Sequence, residues 1–292
     1  MRFGLILSNY GASASPDTLL GEAGAAEAFG FDSAWTTDHV FLPRDDAARF
    51  GRILEALVCL AYLAGRTERI RLGVSSLVLP QREPVLAAKQ LASLDVLAGG
   101  RLIVCVGIGW SAGEYENLGA RFSDRGRRME EATTVLRTLL QARNEEPLSF
   151  PGRFYAFADG VFSPPPFQSG GPPLWMAGNS EAAIRRTARL ADVWHPTGVS
   201  PDQIRQAVSI LRAEAPGRSV GISPRLRVSF DPASTNARVC GSPDVVRAAL
   251  DEYREAGAEY AVLDFQPSDP AGRLHEMERF AREVMPHLQA SP

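Results

Sequence analysis

Soft metal ligands are scarce in this chain of 292 residues, which has four histidines and three cysteines. Cys59, Cys105 and Cys240 lie far apart, with no CxxC or CxxH spacing. That pattern excludes a zinc ribbon and a disulfide framework, and two of the thiols sit in apolar runs where they act as small hydrophobes. His275 and His287 fall on the last helical stretch, so His39, His195 and Asp38 make three ligands at best and no metal centre is expected. A net charge of −3 and the lack of any dense Lys/Arg block argue against nucleic acid or a polybasic membrane surface as partner. No apolar run approaches a membrane span. The opening "MRFGLILSNYGASASP" reads as a first strand and not a signal peptide, which makes a cytoplasmic location the expectation. Also missing are a G-x-G-x-x-G after the first strand, which a dinucleotide fold would need, and the G-x-S-x-G elbow of a serine hydrolase. For a glycosidase, only Asp38 and Glu114 offer themselves as the required carboxylates.

What is present is a regular alternation. Short apolar runs at 2–8, 32–38, 69–79, 101–109, 173–178, 192–198, 220–230 and 260–265 are each followed by a stretch with helical character. Pro16 after Ser15 starts the first helix, Gly99-Gly100 stops the third, and Pro224 interrupts the seventh strand early. The run "RLIVCVGIG" is almost wholly apolar, as expected of a parallel strand covered on both faces. Eight strand–helix units predict a single (β/α)8 TIM barrel over 1–292. A proline-, glycine- and aromatic-rich insertion at about 147–173, after the fourth unit, breaks the rhythm as a hairpin with a Pro-rich return; it is either a lid or interface over the mouth or a surface ornament.

Barrel sites lie at the carboxyl ends of the strands. Those ends carry Ser8-Asn9-Tyr10, Thr37-Asp38-His39, Ser75-Ser76, Gly107-Ile108-Gly109-Trp110, Ala177-Gly178-Asn179-Ser180 and His195-Pro196-Thr197. Gly107 and Gly109 remove side chains where a flat ring could approach, or else serve a tight turn. Gly178, Asn179 and Ser180 open a helix whose free N–H groups suit a phosphate, or else merely cap it. Trp35 and His195 are each either core or pocket. Glu114 and Tyr115 are pocket rim or simply a first helical turn. A ring over Gly107–Gly109 and a phosphate at Gly178–Ser180 describe a flavin-type ligand.

Four blocks resemble the luciferase-like monooxygenase superfamily, in particular its deazaflavin-dependent (coenzyme F-420) branch: "FGFDSAWTTDHVFLP", the long stretch from "ERIRLGVSSLVLP" to "GRRMEE", "PPLWMAGNSEAAIRRTARLADVW" and "GSPDVVRAALDEYREAGAEYAVLDF". The resemblance implies a hydride-transferring oxidoreductase using F-420, with FMN and a separate reductase as the alternative, acting on a small organic molecule. It implies that Asp38 and His39 lie at the ring, with His39 as acid or base, and that Ser75 and Ser76 form a bulge where the family often has a non-proline cis peptide. It further implies that Gly107 and Gly109 back the cofactor, that Ala177, Gly178, Asn179 and Ser180 form the phosphate loop, and that the protein is a homodimer. Trp110 stands where sugar-phosphate dehydrogenases of this branch carry an acid, which suggests an apolar or aromatic substrate.

Overall fold

The computed structural model describes residues 1–143, 146–266 and 269–289, so the expected domain end at 290–292 lies outside the described residues. Its main strands are β1 (Arg2–Ile6), β2 (Ser33–Thr36), β3 (Arg71–Val74), β4 (Leu102–Gly107), β5 (Leu174–Ala177), β6 (Val193–His195), β7 (Arg225–Ser229) and β8 (Tyr260–Phe265). The helices that follow them are α1 (Pro16–Ala28), α2 (Ala56–Ala64), α3 (Pro84–Leu97), α4 (Arg125–Leu140), α5 (Glu181–Leu190), α6 (Pro201–Glu214), α7 (Pro243–Glu255) and α8 (Pro270–Glu283). Every ladder between neighbouring main strands is parallel, running from β6 through β5, β4, β3, β2, β1 and β8 to β7.

The sheet curls, consistent with a TIM-barrel-like fold. Pro224 explains how its seventh strand is built. Gly221–Ile222 pair with β6, the ladder then breaks at the residue that has no N–H, and β7 resumes against β8. Past the break, Arg225 N donates to Pro196 O at 2.7 Å and Gly198 N to Arg225 O at 3.0 Å, so this segment touches both flanking strands.

Local sequence sets most of the boundaries. Ser15, Ser200 and Ser242 each cap a helix that has proline in its first turn, their side chains accepting from Thr18 N, Gln203 N and Val245 N. A short helix at Arg44–Phe50 was not legible, since it buries no residue and so has no apolar period. The insertion does form an antiparallel hairpin, Leu148–Pro151 with Ala156–Gly160. It docks on the outside: Glu131 on α4 accepts from Phe154 N and Tyr155 N at 2.6 and 2.8 Å, and Gln168 bonds Asp95 on α3. No residue of 147–173 lines the cleft described below, so the structure shows no lid there.

The barrel interior is filled by Trp35, Trp175, Tyr260, Ile6, Ile103, Cys105 and Val262. Trp35 lies at a ring-centroid distance of 4.8 Å from Trp175 and stacks on His195 at 5.6 Å. It fits because its neighbours on both adjoining strands are glycines. A Cβ on Gly73 would stand 2.5 Å from the indole, and one on Gly4 would stand 2.6 Å from its Nε1. The indole N–H donates to Ser33 Oγ at 2.6 Å, so its polar atom is satisfied. Gly73→Ala should therefore cost about 1–3 kcal/mol by overpacking, read as a lower urea midpoint with an unchanged m-value.

Candidate functional site

Above this packed interior, the strand ends enclose a cleft of about 650 Å³. Asn9, fully buried at the end of β1, fixes its geometry: Nδ2 donates to Thr37 O at 2.7 Å and Oδ1 accepts from Thr37 N at 2.8 Å. The clamp holds the exit of β2 where Asp38 and His39 turn into the cleft.

His39 is buried, and its Nδ1 lies 2.9 Å from Glu114 Oε2. The other oxygen of Glu114 accepts from Val40 N at 2.6 Å and Phe41 N at 3.2 Å. Burial pushes the Glu114 carboxyl up, but the hydrogen bonds from His39 and Val40 more than offset it and hold it below its usual range. Against an ionised acceptor Nδ1 is the donor, which leaves Nε2 as the ring nitrogen available to the cleft. Phe50 and Trp110 pack round the imidazole, their ring centroids 4.6 and 5.6 Å away. Glu114 is thus both a first-turn residue and the partner of His39. Sequence alone did not pair them, because 75 positions separate the two. Tyr115 is not rim: it is fully buried, its hydroxyl donates to Ile108 O at 2.5 Å, and burial raises its pKa.

Asp38 does not orient His39. Its carboxylate receives Arg82 through both terminal nitrogens, at 2.8 and 2.9 Å, and Val78 N at 2.8 Å. Burial pushes its pKa up while the guanidinium pulls the other way. With every strong partner taken up by Arg82 and Val78, Asp38 shapes the cleft wall and offers little to a reacting group.

The peptide between Ser75 and Ser76 is cis, at the bulge where the resemblance implied one, and both residues line the cleft. Ser75 Oγ donates to His195 Nε2 at 2.8 Å, while His195 Nδ1 donates to Ser223 O at 2.6 Å. His195 is therefore a fully buried floor residue and not a pocket residue. Trp35 likewise belongs to the interior. Asp38, His39 and His195 engage different partners, so they form no common ligand set; among the described residues, no three His, Cys, Asp or Glu side chains gather round a metal position.

The glycines divide. Gly109, at φ +66°, lines the cleft, and a Cβ there would sit 2.7 Å from Val78 Cγ1. Gly107 does not line it: its missing side chain makes room for Ser76, whose Oγ would lie 2.2 Å from a Cβ. Ala177, Gly178, Asn179 and Ser180 also stand outside the lining. Asn179 clasps Thr197 O at 2.8 Å and Thr197 N at 3.1 Å, and Thr197 is a lining residue. Ser180 caps α5, and Trp194 Nε1 donates to Gly178 O at 2.8 Å. The local-cap reading therefore accounts for these side chains, leaving only backbone N–H groups for a ligand. The sequence reading missed Arg225, Arg227 and Arg238, all of which line the cleft. The signal was the alternation of arginine with apolar residues in "RLRV", which turns Arg225 and Arg227 to the same side of a strand.

A curled parallel β/α sheet with a cleft at its strand ends and a buried histidine–carboxylate pair beside that cleft define a barrel-like scaffold with a polar site. A model of the luciferase-like monooxygenase family matches residues 1–239, and the chain belongs to that family. The FMNH(2)-dependent dimethylsulfone monooxygenase of Pseudomonas putida is 30% identical over 213 residues, 70% of this chain but 58% of that protein's length. Monooxygenase RslO1 from Streptomyces bottropensis superposes with a TM-score of 0.85 at 22% identity, over 99% of this chain and 100% of that one. An F420-dependent secondary alcohol dehydrogenase solved with an F420-acetone adduct gives 0.84 at 17% identity, over 99% of each chain. At such identities the two structures speak for the fold alone. Among the described residues, no helix is long and apolar enough to cross a membrane.

The floor makes a pH prediction. Burial first, and Arg225 second, depress the His195 pKa from 6.5 to about 4, against the pull of the Ser223 carbonyl. Below 6.5 the unfolded chain takes up a proton that the folded chain refuses until about 4. Stability should therefore fall by about 1.4 kcal/mol per pH unit across that window and level off below it. Chemical denaturation at a series of pH values should show this slope in the wild type and not in His195→Gln.

Proposed function

We propose that the protein is a two-electron oxidoreductase with a closed (β/α)8 barrel, binding coenzyme F-420 across the mouth and passing a hydride between it and a small organic substrate. The observation that carries this reading is His39, held at Nδ1 by Glu114 with Nε2 left for the cleft. The residues present fit a flat ring with a charged tail. The Ser75–Ser76 peptide and the backbone of Gly109 offer a shelf, in a cleft whose size suits a cofactor. Gly178–Ser180, at the N-terminus of α5, would hold the phosphate through backbone N–H groups.

When bound, the deazaflavin supplies or accepts the hydride. His39 Nε2 takes the proton from a substrate hydroxyl, or returns it to a carbonyl oxygen. Glu114 keeps the ring oriented and stabilises the imidazolium while the proton is held. Phe50 and Trp110 exclude water from the imidazole. Asp38 is a positioning residue that holds the exit of β2 through Arg82 and Val78 N.

An FMN-dependent monooxygenase fed by a separate reductase is the second reading, favoured by the FMNH(2)-dependent relative at 30% identity. For a homodimer, the outer faces of α2 and α3 are the proposed contact, since Val58, Leu86 and Leu97 are 68%, 57% and 69% exposed there. Spectral titration of the apo-protein separates the cofactor readings. F-420 should bind and FMN should not; the reverse transfers the assignment to the second reading, and binding of neither ends both. His39→Ala should lower kcat by about 10²–10⁴-fold with cofactor affinity retained, and added imidazole should restore part of the loss.

A further inference from the structure

Strand β7 places two guanidinium groups at the mouth. Leu226 and Val228 turn outward into the core, while Arg225 and Arg227 turn into the cleft. One carboxylate, Asp264, faces both of them, at 3.0 Å from Arg225 and 4.0 Å from Arg227, and it also faces Arg273 at 3.6 Å. Arg225 is further occupied by Ser75 O at 3.1 Å. Arg227 keeps a side chain that is 55% exposed. Arg238 is tied alongside by its N–H to Arg227 O at 2.9 Å, and among the described residues its side chain makes only a long contact of 3.5 Å to Tyr253 Oη. Among the described residues, the single carboxylate in the cleft lining, Asp38, is already taken by Arg82. This rim is therefore left with uncompensated positive charge, in planar forks suited to a carboxylate or sulfonate. The same cleft presents Tyr10, Phe50 and Trp110.

We propose that the substrate is an organic anion, a carboxylate or sulfonate on an apolar body, gripped by Arg227 and Arg238 while the body lies against the aromatic side chains. This rests on the oxidoreductase reading above and adds a charged end to the expected apolar or aromatic substrate.

The test uses three probe pairs: phenylacetate with phenylacetamide, octanoate with octanamide, and benzenesulfonate with benzenesulfonamide. Each is titrated by calorimetry into cofactor-loaded wild type and into the Arg227→Gln/Arg238→Gln double variant. At least one anion should bind the wild type about tenfold more tightly than its neutral partner, with the preference falling as salt rises. The double variant should lose that preference, and Arg227→Lys/Arg238→Lys should keep part of it. Equal binding across all three pairs, or an anion preference that survives in the glutamine variant, overturns the proposal. The cofactor phosphate is the other source of an anion, so whichever cofactor binds is compared with its phosphate-free form in both proteins. If the glutamine variant loses the preference for the phosphorylated form, these arginines grip the cofactor and the substrate assignment falls. Should no flavin or deazaflavin bind, the anion titrations run on the apo-protein: a preference there upholds the arginine site while the oxidoreductase reading fails.

Discussion

The fit of one indole between two glycines fixes where ligand space begins. Trp35 fills the middle of the curled sheet because Gly4 and Gly73 withhold the side chains that would collide with it. With Trp175, Tyr260 and the neutral His195, it makes a dense plug. The cleft at the strand ends therefore rests on a packed floor. His195 joins the two regions, stacked on Trp35 on one side and accepting from Ser75 on the other.

Above the plug, the cost of burying charge is met pair by pair. Asp38 is answered by Arg82, Glu114 by His39 and two backbone N–H groups, and Asp264 by Arg225 and Arg273. Such pairs add little net stability, but losing one partner strands the other at a cost of about 3–5 kcal/mol. They therefore fix the conformation of the strand exits. The loops after β2 and β4 are clasped twice more, by Ser111 to Asp46 at 2.6 Å and Asn117 to Phe41 O at 3.0 Å, which holds Phe50 and Trp110 about the imidazole.

The strand–helix rhythm was legible because its signals are local: Ser-Pro helix starts, Gly-Gly stops and the apolar run of β4. Pro224 was legible for the same reason, as a residue that no ladder can accommodate. The positions of Asp38, His39, Ser75 and Ser76 at the mouth followed from where parallel strands end. Partners could not be read. Nothing in the local pattern says that Glu114, and not Asp38, meets His39, or that Arg82 claims Asp38. A glycine announces an empty volume but not its tenant, and at Gly107 the tenant is Ser76. The short helix at Arg44–Phe50 and the outward docking of the hairpin depend on loops meeting far from one another in the chain, which periodicity does not encode.

Arg273 has a reach that its place on α8 would not suggest. It touches Glu22 on α1, Asp264 on β8 and the carbonyl oxygen of Ile6, and Asp264 in turn holds Arg225 against the Ser75 carbonyl. Without α8 docked, Glu22 at the seam between the first and last units lacks its arginine, and Asp264 keeps only those of β7. The geometry of the mouth therefore depends on contacts between the first and last units of the chain.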